Sequence, residues 1–207
     1  MTPRLILASA SPARFATLRA AGLDPEVIVS GVDEDGITAD SPAALATTLA
    51  ELKGTAVAAS TPRQATVELI LGCDSVLDID GVAYGKPGDP DTAIERWQLM
   101  RGRSGVLHTG HHLILRTAEG EQSRTACAST TVGFADPTDA EIAAYVRTGE
   151  PLVVAGAFTL DGMGAAFVER IDGDPHNVVG VSVPLLRTMI NSLGLFWPDL
   201  WSGRHVA

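Results

Sequence analysis

The sequence is short of cysteine, of lysine and of aromatic residues, and each shortage narrows what the chain can be. Two cysteines, Cys73 and Cys127, in 207 residues cannot build a disulfide framework or a four-cysteine zinc site. No apolar run approaches the ~20 residues that a membrane span needs. The apolar stretch between Arg4 and Ser9 is too short for a signal peptide, so a cytoplasmic location is expected. Basic charge is also scarce. Fifteen Lys and Arg against 25 Asp and Glu give a net charge of −10, and that field repels nucleic-acid backbones. Neither a nucleic acid nor a membrane is expected as a partner. A small polyanion could bind only in a local pocket of positive charge or through a divalent metal. What is plentiful is apolar: 45% of residues are hydrophobic, enough for the core of one domain over 1–207, or at most two intimately packed lobes.

Among the cations the imbalance is sharper, because thirteen are Arg and only Lys53 and Lys86 are Lys. Where nearly every surface cation has become Arg, a surviving Lys suits a place that needs a compact point charge and not a planar fork. Chance explains the same count.

Alternating short apolar runs and amphipathic stretches predict an α/β or α+β fold. Strands are expected at 5–8, 27–29, 67–73, 76–79, 106–115, 124–134 and 165–171. Helices should start at Ser11-Pro12, Ser41-Pro42, Asp89-Pro90, Thr138 and Pro184. Residues 197–207 read as a loosely attached tail.

Several segments carry candidate chemistry. Ser9-Ala-Ser-Pro-Ala-Arg14 turns a strand into a helix, which presents backbone N–H groups and a first-turn cation to an anion; it is also an ordinary helix start. In Leu71-Gly-Cys-Asp-Ser75 an apolar run delivers Asp74 and Ser75 to what reads as the carboxyl end of a central strand, where open α/β sheets place ligands. Cys73 beside them is either a nucleophile or an inert buried thiol. Lys86, held between Gly85 and Pro87, suits a fixed cation for phosphate. Asp33-Glu34-Asp35 is a solvated turn or, near a phosphate, a carrier of Mg²⁺. A rival lies in Asp78-Ile-Asp80-Gly81, which resembles the nucleophile motif of aspartate-dependent phosphatases and equally fits a two-residue hairpin turn. His108, His111 and His112 invite a metal, yet on a strand His108 and His112 point opposite to His111.

In order along the chain these segments resemble the Maf family of nucleoside triphosphate pyrophosphatases. The resemblance rests on Leu7–Arg14, Val32–Glu34, Leu49–Lys53, Gly72–Ser75, Gly85–Pro87, His108–Gly110, Ala155–Gly162 and Asn177–Gly180. It implies an elongated, twisted mixed sheet flanked by helices, two lobes around a central cleft, and an often dimeric assembly. It also implies hydrolysis of a nucleoside triphosphate to monophosphate and pyrophosphate with Mg²⁺ or Mn²⁺, as housecleaning of non-standard or surplus nucleotides. By the same resemblance Asp74 is the proton acceptor, Arg14, Lys53 and Lys86 are phosphate-binding cations, and Ser9, Ser11 and Glu34 line the site, with Glu34 and Asp74 as metal ligands. The alternative it carries is a nucleotide-binding regulator of septum formation.

Three positions depart from the family pattern. Ala13 stands where an arginine is usual, Ser75 where Thr often follows the catalytic Asp, and Asp161 where Gln is usual. These positions are tied to base choice, and a carboxylate accepts but cannot donate. A strong preference for dTTP is therefore not expected, while amino-bearing bases such as cytosine, or modified guanine, should compete.

Overall fold

The computed structural model describes residues 3–63 and 67–202. Its strands are β1 (Arg4–Ala8), β2 (Glu26–Val27), β3 (Glu68–Ile79), β4 (Val82–Tyr84), β5 (Ser104–Thr117), β6 (Gly120–Phe134) and β7 (Val168–Asp172). The helices are α1 (Pro12–Ala20), α2 (Pro42–Ser60), α3 (Pro90–Met100), α4 (Asp139–Arg147), α5 (Pro175–Val179) and α6 (Val183–Ser192). Five of the six begin with one device: a Ser or Asp side chain accepts from the first turn, and Pro occupies an early position that needs no N–H. The sixth, α4, closes a capping box between Thr138 and Glu141.

The strands form one open mixed sheet in the order β2-β1-β3-β5-β6-β7, with β4 also paired to β3. β1 runs parallel to β3 as far as Ala8 opposite Gly72. β4 folds back antiparallel on the same edge, from Leu77 onward. Between them, Cys73 to Val76 keep ladder partners only in β5. The sheet is therefore notched at the middle of β3, on the edge that pairs with β1 and β4.

That notch corrects one expectation. β3 is a single 12-residue strand, not two short ones, and Asp74 and Ser75 lie at its middle. The ladder to β5 runs unbroken from Glu68–Arg116 to Asp78–Val106, so two polar residues interrupt the apolar run without ending the strand. The strand read at 165–171 is a 3₁₀ turn over Met163–Phe167 followed by β7, and α5 was not foreseen. The described start of the expected tail is packed down: Trp197 and Leu200, three apart in a 3₁₀ turn, are buried in the apolar cluster with Leu23 and Leu193. Residues 203–207 lie outside the described residues.

Strand alternation sorts the core. On one face of β3, Leu69, Leu71 and Cys73 join α1 and α6 in a first cluster. Farther along, Leu77 and Ile79 join α3 and α4 in a second cluster around Trp97. On the other face Ile70 packs with Val57 and Ala58 of α2. Ser75 sits on the first face between the two apolar clusters. No helix among the described residues is long and apolar enough to cross a membrane.

Candidate active site

The notch opens into a cleft of about 1090 Å³ lined by the β1–α1 turn, the 29–35 loop, α2, the middle of β3, the 83–86 segment and the 150–162 loop. Its α2 side depends on missing side chains. A Cβ on Gly72 would lie 2.2 Å from the Ala50 carbonyl oxygen, and one on Gly110 would lie 2.2 Å from that of Ala46. The helix therefore rests directly on β3 and β5, and this close seat brings Lys53 over Asp74. Lys53, only 8% exposed, pairs with Asp74 and with Glu34, the latter at 2.8 Å. One buried ammonium thus gathers two carboxylates from distant parts of the chain.

On the opposite face of β3 stands Arg14, also 8% exposed. Its guanidinium donates through Nε to the Gly180 carbonyl at 2.7 Å, through Nη1 to Ser9 Oγ at 3.0 Å and through Nη2 to Ser75 Oγ at 3.0 Å. All three acceptors are neutral, and among the described residues Arg14 makes no salt bridge. A buried cation held only by dipoles is the costly arrangement that an incoming anion relieves. The guanidinium has five N–H groups; one remains on each terminal nitrogen, the number a bidentate phosphate contact uses. The helix end itself offers less than its sequence suggests, since Pro12 has no N–H and the Arg14 amide is taken by Ser11 Oγ.

The far wall is hydrogen-bonded into one unit. The Gly85 carbonyl accepts from the Gly156 amide at 3.1 Å and from Arg96, and the Gly88 amide donates to Leu152. Lys86 stands exposed on this segment at the cleft. Trp97 Nε1 donates 2.8 Å to the carbonyl of Ala157, whose φ of 62° is one that side-chain-bearing residues rarely adopt. Sequence reasoning missed Glu150, which holds the 159–164 turn. Its carboxylate accepts from Tyr145 Oη at 2.9 Å, the Met163 and Gly164 amides at 3.1 and 3.0 Å, and Thr159 Oγ1. Burial alone would raise the Glu150 pKa, but these donors hold it below the usual range. Tyr145 is pushed up, chiefly by burial. No local pattern marks Glu150, because its partners come from α4 and from an aperiodic loop.

Ser9, Ser11, Ala13, Arg14, Glu34, Lys53, Asp74, Ser75, Lys86 and Asp161, all singled out from sequence, line this one cleft. The rival readings do not meet it. Asp80, at φ 54°, and Gly81, at φ 83°, make the hairpin turn, where Asp78 Oδ1 accepts from the Gly81 amide at 2.7 Å. Neither aspartate lines the cleft. Cys73 is fully buried, and burial pushes its thiol up to about 12, so it is no nucleophile. His108, His111 and His112 bond to Ser129, Thr109 and Thr125 respectively. The described residues contain no group of three or more His, Cys, Asp or Glu placed to hold a metal ion.

The family model described as "Maf-like protein" matches residues 4–193. A nucleoside triphosphate pyrophosphatase of Streptomyces avermitilis is 57% identical over 202 residues, covering 98% of this chain and 96% of the relative. One of Salinispora tropica is 58% identical over 96% of this chain and 88% of its own. One of Nocardia farcinica is 49% identical over the full length of both.

Proposed function

The chain belongs to the Maf family, and from that premise we propose that it hydrolyses nucleoside triphosphates to the monophosphate and pyrophosphate, acting on free nucleotides in the cytoplasm as housecleaning of non-standard or surplus ones. The names of the relatives support this reading. The observation that carries it at the level of this chain is the placement of Arg14, buried with only neutral partners, across the notch from the Lys53–Asp74–Glu34 cluster. One side lacks an anion and the other supplies carboxylates.

In the proposed reaction a water oxygen bonds to the α-phosphorus while the bond from that phosphorus to the bridging oxygen of the β-phosphate breaks. Asp74 accepts the proton of the attacking water, as a positioned carboxylate can. Lys53 holds Asp74 aimed through their ion pair. Arg14 and Lys86 take the phosphate oxygens on which charge grows as pyrophosphate leaves, and Ser9 and Ser11 shape the same wall. Glu34 and Asp74 both reach Lys53, so their oxygens lie near each other. Two carboxylates are the set from which Mg²⁺ or Mn²⁺, otherwise ligated by water and phosphate, is usually held. Such an ion would supply charge neutralisation and Lewis acidity.

The test is incubation with a panel of NTPs and dNTPs plus Mg²⁺ or Mn²⁺, with chromatographic separation of products. Equimolar monophosphate and pyrophosphate are expected; diphosphate and orthophosphate would overturn the proposal.

A further inference from the structure

On the Arg14 face of β3 a chain of hydrogen bonds has its direction fixed at both ends. At one end Arg14 Nη2, which only donates, reaches Ser75 Oγ at 3.0 Å. At the other, Thr109 Oγ1 reaches the Asn177 carbonyl, which only accepts, at 3.0 Å. The two hydroxyls are 2.9 Å apart. Thr109 has one hydroxyl proton and Asn177 takes it, so the proton between the hydroxyls belongs to Ser75. Ser75 Oγ therefore accepts from Arg14, donates to Thr109 and keeps one lone pair. Since Ser75 lines the cleft, that lone pair is what it can offer a ligand.

The surroundings lock this direction. Thr109 is 0% exposed, so no water competes for its hydroxyl. The Asn177 carbonyl also accepts from the Gly180 amide at 3.0 Å, and the Gly180 carbonyl in turn holds Arg14 Nε at 2.7 Å. Reversing the chain would break the buried Thr109–Asn177 hydrogen bond, leave the Thr109 oxygen with no donor and turn the Ser75 proton away from Thr109.

We propose that Thr109 is a positioning residue that fixes the polarity of Ser75, so that the nucleotide group facing Ser75 is a hydrogen-bond donor: an exocyclic amine of the base or a sugar hydroxyl. The proposal rests on the nucleotide reading above and deepens it. A carbonyl placed there would meet lone pair against lone pair, which is selection by repulsion. Asp161, on the same cleft, is a second acceptor and biases the site the same way.

The test compares binding of α,β-methylene analogues of CTP and UTP, in ribo and 2′-deoxy forms, to wild type, Thr109→Val and Thr109→Ser by calorimetry. Cytosine and uracil differ in presenting an amine or a carbonyl on one edge, so they probe the base. The sugar pair probes the hydroxyl. Thr109→Val frees the Ser75 proton and should cut the wild-type preference for the donor-bearing ligand about tenfold, whereas Thr109→Ser should keep it. A shift in the base arm identifies the amine, and one in the sugar arm identifies the hydroxyl. Unchanged ratios in both arms with a folded Val variant would overturn the proposal, even if its melting temperature falls. Should Thr109→Val not fold, Ser75→Ala removes the acceptor itself and must erase the same preference; a retained preference is again fatal. Pyrophosphate release from ordinary CTP and UTP is assayed alongside. Failure of wild type to hydrolyse them would strike the hydrolase reading and leave this one standing on the binding ratios.

Discussion

The two faces of β3 at the notch each bury one cation, and they treat it in opposite ways. On the α2 face Lys53 meets two carboxylates; on the other Arg14 meets two hydroxyls and a carbonyl. An ion pair inside the protein already offsets much of its desolvation cost, so Lys53 has less to gain from a further anion and is suited to holding Asp74 in place. Dipoles offset less, so a polyanion gains more beside Arg14. Binding strength on one face and chemistry on the other is the division of labour that this contrast implies, and each side can be broken separately.

The largest effect should come from the chemical face. Asp74→Asn keeps shape but removes the proton acceptor, so kcat should fall by roughly 10²–10⁴, the range for loss of a general base. The Kd for nucleotide should change only a few-fold. Near-normal kcat, or a parallel loss of binding, would erase the proposed division.

Acid should destabilise the fold through a group packed on the Arg14 face. His111 donates through Nδ1 to the Thr109 carbonyl at 3.0 Å and accepts at Nε2 from the Ser182 amide at 2.8 Å, contacts that suit the neutral ring. Burial drives its pKa from 6.5 down to about 4. Between those values the unfolded chain binds the proton and the folded one does not, so stability falls as pH falls through this window. At about 1.36 kcal/mol per unit the loss is of order 3 kcal/mol. Urea unfolding of wild type and His111→Gln should converge in midpoint from pH 7 to pH 4.5. Midpoints that stay equally far apart would mean that His111 is not the group.

A smaller effect isolates Arg14. Charge-assisted bonds are worth about 1.5–3 kcal/mol each, so Arg14→Met should raise the Kd of a triphosphate roughly 10- to 100-fold. The free protein sheds a cation that has no counter-ion but strands the buried Gly180 carbonyl, so its urea midpoint should fall less than that of a variant that strands charges. Lys53→Met, which strands two carboxylates face to face, should lower the urea midpoint clearly. Equal losses in the two variants would show that the contrast between the faces is only apparent.

What could be read in the sequence was whatever is local. Ser-Pro and Asp-Pro pairs mark helix starts because cap and first turn lie within three residues, and those starts stand where expected. The residues gathered at the cleft were legible through the order of their motifs and the rarity of lysine. Features set by distant partners were not. Asp74 reads as a strand end until the ladder to Gly110 carries the strand past it. Trp197 reads as tail until Leu23 and Leu193 cover it. Gly72 and Gly110 look like ordinary strand glycines, and only the approach of α2 shows that any side chain there would collide with it. Glu150 is defined wholly by donors from Tyr145, Thr159, Met163 and Gly164.

The smallest expected effect concerns the base. Ala13 and Asp161 line both the main cleft and an adjoining pocket of about 490 Å³, whose other walls include Ala16, Ala20, Val179 and Val183. The Ala13 methyl leaves space, and the Asp161 carboxylate can accept but not donate. Thymine offers carbonyls and one ring N–H to such a wall, whereas cytosine offers an amine. Wild type should therefore show no strong preference for dTTP over CTP in kcat/KM. Asp161→Gln restores a donor and should move the ratio toward dTTP by up to about tenfold, or 1.4 kcal/mol, with little change in stability because Asp161 is exposed. A wild-type preference for dTTP above tenfold, or a ratio that Asp161→Gln does not move, would mean that the carboxylate faces solvent and the cleft selects by phosphate alone. Selectivity would then belong to the Arg14 face, with Ser75 as the group to change next.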